Sequence, residues 1–451
     1  MTSSARKASV QIATRPAPDH HPAVVRRRRL EQPTAPALKR FLKAQVINTR
    51  RDAAALRPFH RDEFGSGPAS PSVAHVQAAN QLIVNLRRQL LKLADSVGQT
   101  AEASAEAPGP QNLRSLLVKK EHALRWIKLI EKIWDFYLRL FSQRQSRFAD
   151  WLLATDRIAL DCYQAVYTGL GRARSIPSPP PFSYMETGLT PATFRRGVPL
   201  TRLGRRANPF PVIQLPYHRL VNPWTLGAVH HEVSHNLQSD LDLWQEVPRR
   251  IHRRLRQAGL DGMVASTWTR WHKEIWADLC GLLLGGPAVV ASLLDVLARS
   301  PSSTKAYNPA GVHPVPYLRA LINLELLGRM GFPAEAQAFR RVWDRMYPYP
   351  RRSSIPHALL DTFPQANRLV VDTMCFQPYR QLGDKSLIQV VRFRSDYQKM
   401  VQEAAQRLAA GTDPGIIPAR FLVGAARWAL DHNLAAPGRI THNFYLALTK
   451  R

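Results

Sequence analysis

Apolar side chains recur at three- and four-residue steps over most of this chain, a spacing that predicts a mainly helical protein. From Val73 to Val97, the positions Val76, Leu82, Ile83, Leu86, Leu90 and Leu93 mark one buried face, with Ser72 as the N-cap. Residues 112 to about 170 carry the broadest apolar face, running through Leu116, Leu124, Ile127, Ile130, Ile133, Tyr137 and Phe141, and a second helix is expected from Phe148 to about Tyr167. The stretch 175–223 is rich in proline. Within it Pro211-Val-Ile-Gln-Leu-Pro216 reads as a short strand whose flanking prolines predict an edge position. Beyond it, helices are expected at roughly 223–239, 246–258, 265–284, 288–299, 315–330, 334–345, 395–410 and 416–433.

These patterns divide the chain into a basic arm (1–72), a helical region (73–174), a core (175–350) and a C-terminal helical region (351–451). The arm carries Pro16, Pro18, Pro22, Pro33, Pro36 and the run Arg26 to Arg29, and is expected to be disordered. The segment GQTAEASAEAPGPQ (98–111) reads as a linker. Lys and Arg number 63 against 33 Asp and Glu, a formal net charge of +30. A field of this sign attracts acidic proteins or nucleic acid, here through the arm, and says nothing about fold. No zinc finger, RNP-type motif or helix-turn-helix accompanies it.

Cys162, Cys280 and Cys375 are too few and too scattered for a disulfide framework, and are expected to be buried, reduced thiols of a cytoplasmic protein. The N-terminus shows no apolar signal region. Leu279 to Leu294 is the longest apolar stretch, but Gly285, Gly286 and Pro287 break it and Asp295 follows. It predicts a buried helix and turn, with no transmembrane insertion.

Candidate chemistry lies in Asn222-Pro-Trp-Thr-Leu-Gly-Ala-Val-His-His-Glu-Val-Ser-His-Asn236, where Asn222 and Pro223 predict a helix start. On that helix His231 and His235 are four apart and project from one face, so their rings can converge on one ion. Glu232 stands beside them as a base for metal-activated water; this is the H-E-x-x-H pattern. His230 points about 100° away from His231, outside the ligand set. Gln238 and Leu241 occupy the places where the metzincin extension has Gly and His, which excludes that class. Asp240, Asp242 and Glu246 are poorly placed to turn back to the ion. Farther along, Trp271-His-Lys-Glu-Ile-Trp-Ala-Asp278 offers Glu274 as the third ligand. Asp278, one turn later, can accept the spare N–H of a ligand histidine, and Ala277 lets two helices approach closely.

H-E-x-x-H followed by E-x-x-A-D resembles the gluzincin metallopeptidases, particularly the group that includes the CAAX prenyl proteases and HtpX-like proteases. The resemblance covers roughly 50 to 100 residues around the site. It implies zinc held by His231, His235 and Glu274, Glu232 as catalytic base and Asp278 as ligand support, in an enzyme that hydrolyses protein or peptide substrates. The fold then expected is mainly α: a zincin-like core with a small edge strand or sheet before the H-E-x-x-H helix, flanked by helical regions. His313-Pro-Val-Pro-Tyr-Leu-Arg319 weakly resembles the H-P segment that follows the site in that group; His313 or Tyr317 could stabilise the oxyanion, although a structural His-Pro turn is the favoured reading. An extended substrate is expected to pair with strand 211–216. Trp268, Trp271 and Trp276 read as core or cleft wall, and Arg249, Arg250, Arg253, Arg254 and Arg256 as a solvated helix face. The alternative is a nucleic-acid-associated or scaffold protein with a structural or vestigial zinc site.

Overall fold

A computed structural model describes residues 35–171, 175–350 and 352–451. It is mainly helical with small sheets. Four long helices come first: α1 (Ala35–Ala55), α2 (Val73–Glu106), α3 (Pro110–Ser142) and α4 (Ala149–Gly169). A strand-bearing segment follows, with β1 (Phe182–Met185), β2 (Ala192–Phe194), β3 (Pro199–Leu200), β4 (Arg206–Ala207) and β5 (Val212–Leu215). Next come α5 (Tyr217–Val221), α6 (Gly227–Asp240), α7 (Glu246–Gln257), α8 (Gly262–Gly285), α9 (Pro287–Leu297), α10 (Pro301–Thr304), α11 (Pro316–Arg329) and α12 (Pro333–Met346). The chain closes with α13 (His357–Asp361), α14 (Phe363–Val371), the two-residue strands β6 (Pro378–Tyr379) and β7 (Lys385–Ser386), α15 (Leu387–Val390), α16 (Ser395–Ala410), α17 (Leu422–Asp431) and α18 (Pro437–Thr449).

Two hydrophobic cores meet at the sheet β1-β5-β2, in which β5 runs parallel to β1 and antiparallel to β2. Strand side chains alternate between faces, and that period sorts the sheet residues. Phe182, Tyr184 and Val212 join the smaller core with α1, α2 and α3, whereas Ile213 and Leu215 face the larger core built by α4 and the rest of the chain. The division between cores therefore falls between α3 and α4, not at residue 174, and residues 352–451 pack into the same core as the H-E-x-x-H helix. Buried Arg144 pins the junction: it pairs with Asp156 at 2.8 Å, donates to the Ser183 carbonyl at 2.7 Å and lies 3.9 Å over the Phe182 ring.

Several expectations change here. Part of the supposed disordered arm is ordered, because Leu42 and Ala53 of α1, with Phe59 and Phe64 beyond it, are buried in the smaller core. The rest of the expected arm, residues 1–34, lies outside the described residues. The supposed linker 98–111 is mostly helix: α2 continues to Glu106 and only 107–109 turn. Its small residues are packing surface, since a Cβ on Gly98 would stand 2.9 Å from the Arg50 guanidinium. Strand 212–215 is central, not an edge, with both rows of its backbone groups taken by β1 and β2. Asn222 caps nothing at α6; Pro223–Thr225 form a 3-10 turn and the α-helix begins at Gly227.

The break inside 279–294 is as expected: α8 ends at Gly285, Gly286 turns the chain at φ +72°, and Pro287 opens α9. No helix among the described residues is long and apolar enough to cross a membrane. All three cysteines are free and buried. Close approach of α6 and α8 depends on Gly281, where a Cβ would already touch the His230 carbonyl carbon and the His231 nitrogen at 3.4 Å.

A larger side chain at that crossing must separate the helices. Gly281→Leu is expected to destabilise the protein by about 1–3 kcal/mol. Gly438→Ala, in open space within α18, should be neutral or stabilising by up to about 1 kcal/mol. Urea unfolding of the two variants beside the parent measures both.

Candidate metal centre and active site

Three helices build the site. α6 supplies His231, Glu232 and His235, α8 supplies Glu274 and Asp278, and α11 supplies Arg319. The i, i+4 spacing stacks each pair of groups on one helix face, and the α6–α8 crossing turns those faces toward one another. His235 Nε2 lies 3.1 Å from His231 Nε2, and the Glu274 oxygens lie 3.5 Å from each of these nitrogens. One donor atom from each of the three residues lies within 4.8 Å of the others. A four-coordinate ion with bonds of roughly 2.0–2.1 Å needs donor separations of roughly 3.3–3.4 Å. The cluster can therefore hold a metal ion with little rearrangement.

Asp278 organises the site from behind. Its Oδ1 accepts the Nδ1–H of His231 at 2.8 Å, which in the neutral ring leaves the Nε2 lone pair free to ligate a cation between His235 and Glu274. Arg319 grips the same carboxylate at 2.6 and 2.9 Å and reaches Glu274 Oε2 at 3.2 Å. Asn323, one turn along α11, adds a weaker bond to Asp278 at 3.4 Å. With His231 neutral, as a ligand must be, ionised Glu232, Glu274 and Asp278 exceed the one guanidinium by two negative charges. A divalent cation between the rings would make this buried group of charges neutral.

Proton affinities follow from that arrangement. Burial disfavours charge on His231, but its hydrogen bonds to Asp278 and Glu274 prevail and push it up to about 10. Burial and the neighbouring His231 charge bring His235 down to about 3. Burial, with Glu274 adding to it, raises Glu232 to about 7. Glu274 is held well below the usual carboxylate range: burial opposes its charge, but His231 and Arg319 outweigh that cost. Asp278 is lowered to about 2, with burial outweighed by Arg319 and then His231.

The other expected residues divide. His313 lies on the rim, largely exposed, with Nε2 3.3 Å from Glu274 Oε2. Tyr317 is not at the site. It is buried, facing α12 and α14, because two positions along a helix separate it from Arg319 by about 200°. His230 is outside the ligand set as expected, fully buried, its Nε2 3.0 Å from the Arg420 carbonyl. Trp268, Trp271 and Trp276 are core. The arginine face of α7 is only partly solvated, since Arg254 pairs with Asp372 at 2.7 Å. Asp240 bonds the Tyr163 hydroxyl at 2.9 Å, away from the rings.

A cleft of about 730 Å³ opens over His231, Glu232, His235 and Glu274. The main residue that the sequence reading missed is Arg319. Its signal was available: Arg319 and Asn323, four apart, interrupt an otherwise apolar stretch of α11. No family model matches the chain, and neither a curated protein nor a solved structure matches it.

Metal analysis of the purified protein should find one divalent ion per chain, lost in His231→Ala and in Glu274→Ala. Ligation at His231 displaces the proton that its raised pKa retains at neutral pH. Affinity should therefore climb by about tenfold per pH unit from pH ~6 to ~8, and titration in buffers of different ionisation enthalpy should show proton release. Arg319→Met strands two buried carboxylates and should cost about 3–5 kcal/mol in metal-free denaturant unfolding.

Proposed function

We propose that the chain is a zinc-dependent metalloendopeptidase of the gluzincin type, with zinc on His231, His235 and Glu274 and Glu232 as general base. The observation that carries this reading is the meeting of a carboxylate from α8 with both imidazoles of α6, beside a buried glutamate on the same helix. Two neutral imidazoles and one carboxylate leave a bound zinc cationic, and it then supplies Lewis acidity and a water that ionises near pH ~7.

The chain's own groups perform the remaining work. Asp278 holds His231 in the tautomer that presents Nε2. Glu232 accepts a proton from the attacking water and returns it to the departing amine. His313, on the rim beside Glu274, is the donor for the developing oxyanion. The substrate backbone pairs with β2 rather than β5: β2 is a sheet edge, and Ala192 and Thr193 line the cleft. A small sheet before the motif helix, with its edge strand β2 lining the same cleft as the ligands, supports the same reading.

Glu232→Gln should keep its zinc and lose peptide hydrolysis by about 10²–10⁴-fold, assayed with a mixture of quenched fluorescent peptides. Equal zinc loss in Glu232→Gln and His231→Ala would contradict the division of roles. A zinc-replete parent that cleaves no peptide removes the peptidase reading.

A further inference from the structure

Trp244, in the turn between α6 and α7, lines the cleft near His235 and Glu274. The Arg195 guanidinium lies 3.5 Å from the centre of its ring, and the Lys273 ammonium lies 4.8 Å from it. These three residues come from three separate elements. Arg195 follows β2 and continues the alternation that turns Thr193 toward α6, where Asn236 donates to the Thr193 hydroxyl at 2.8 Å. Phe194, between them, packs into the smaller core. Lys273 immediately precedes Glu274 on α8.

Both cations are partly buried cleft residues that form no ion pair among the described residues. Three carboxylates close in sequence are committed elsewhere, Glu246 to Arg250 at 2.6 Å, Asp240 to Tyr163, and Glu274 to the histidines and Arg319, while Asp242 in the Trp244 turn is exposed and forms no ion pair among the described residues. Burial alone bears on the Arg195 guanidinium and lowers its proton affinity. Two cations held against one indole repel each other, and the ring faces offset only part of that cost. A carboxylate arriving along β2 would relieve it.

At the other end of the cleft, Val289, Leu293 and Val296 of α9 face the start of α6 and offer an apolar wall. Beyond that wall Arg299 also lines the cleft, so the apolar character is confined to the α9 face itself. We infer that Arg195, Lys273 and Trp244 form a carboxylate-binding subsite, which makes the preferred substrate a peptide with acidic residues on the His235 side of the bond to be cut. This deepens the peptidase reading and rests on it for the word substrate. Binding itself needs no turnover.

The test uses Glu232→Gln full-length protein and two labelled, amidated octapeptides that differ only in three Glu or three Gln residues flanking a central Leu-Leu. At roughly 50 mM salt the acidic peptide should bind about tenfold more tightly, with a preference that shrinks as salt rises. Adding Lys273→Glu should abolish or invert the preference. Lys273→Ala and Arg195→Gln should each reduce it, which guards against a folding defect in any one variant. A Gln peptide with a free C-terminus that recovers the tight binding assigns the subsite to the terminal carboxylate rather than the side chains and overturns the acidic-residue specificity. Equal binding of the two amidated peptides, binding of neither, or a preference that survives all three variants overturns the subsite. Cleavage by unsubstituted, zinc-loaded protein is scored separately: acid-selective binding without hydrolysis leaves the subsite standing and ends the peptidase reading.

Discussion

The buried carboxylate of Asp278 holds His231 on one side and Arg319 on the other, and the geometry of the whole centre depends on it. Burying a carboxylate, a guanidinium and a second carboxylate together is costly unless each lone pair and N–H finds a partner. Here the partners come from three helices, so the charges are satisfied only when α6, α8 and α11 are all in place. The site is therefore a consequence of tertiary packing rather than of the motif helix alone. Removing any one member leaves an uncompensated charge in a low-dielectric setting, where breaking a pair costs about 3–5 kcal/mol.

Packing around that cluster is arranged to keep two helix axes close. Gly281 lets α8 lie against the backbone of α6 at His230 and His231, and the buried His230 ring ties α6 to the Arg420 carbonyl in the C-terminal segment. The C-terminal helices thus belong to the support of the site, although they are far from it in sequence. The sheet makes the complementary contribution. With β5 paired on both sides, β2 is left as the border of the cleft, and Asn236 of α6 fastens it there through Thr193.

Legibility in the sequence followed the range of the interactions. Helical periodicity located α6 to α9, α11 and α12 closely, whereas the four-residue α10 is too short to show any period. His231, His235 and Glu274 were readable because i, i+4 spacing within a helix is local chemistry, and the structure brings these three together. The order of strands was not readable. Prolines at 211 and 216 signal an edge, yet they bracket the four paired residues and leave the ladder of β5 intact on both sides. Proline and arginine density near the start obscured α1, whose apolar positions Leu38, Leu42 and Val46 recur at four-residue steps. Tyr317 and Arg319 show the same limit in miniature. Both belong to one short segment, and only the rotation of α11 against α8 decides that the arginine faces the site.

Net charge was the most conspicuous property of the sequence and the least informative about the site. An excess of +30 spread over a surface is screened within about 8–10 Å at ordinary ionic strength. At the centre itself three carboxylates lie beside one guanidinium, and the local balance turns negative once His231 gives up its proton and Glu232 is ionised. Such a point can hold a cation despite the positive charge of the whole molecule, because buried charges separated by a few ångströms interact far more strongly than screened surface charges. The same reasoning distinguishes Arg195 and Lys273 from most of the chain's other basic residues. They matter through the indole they share and the absence of a carboxylate partner among the described residues, and their share of the total charge is small.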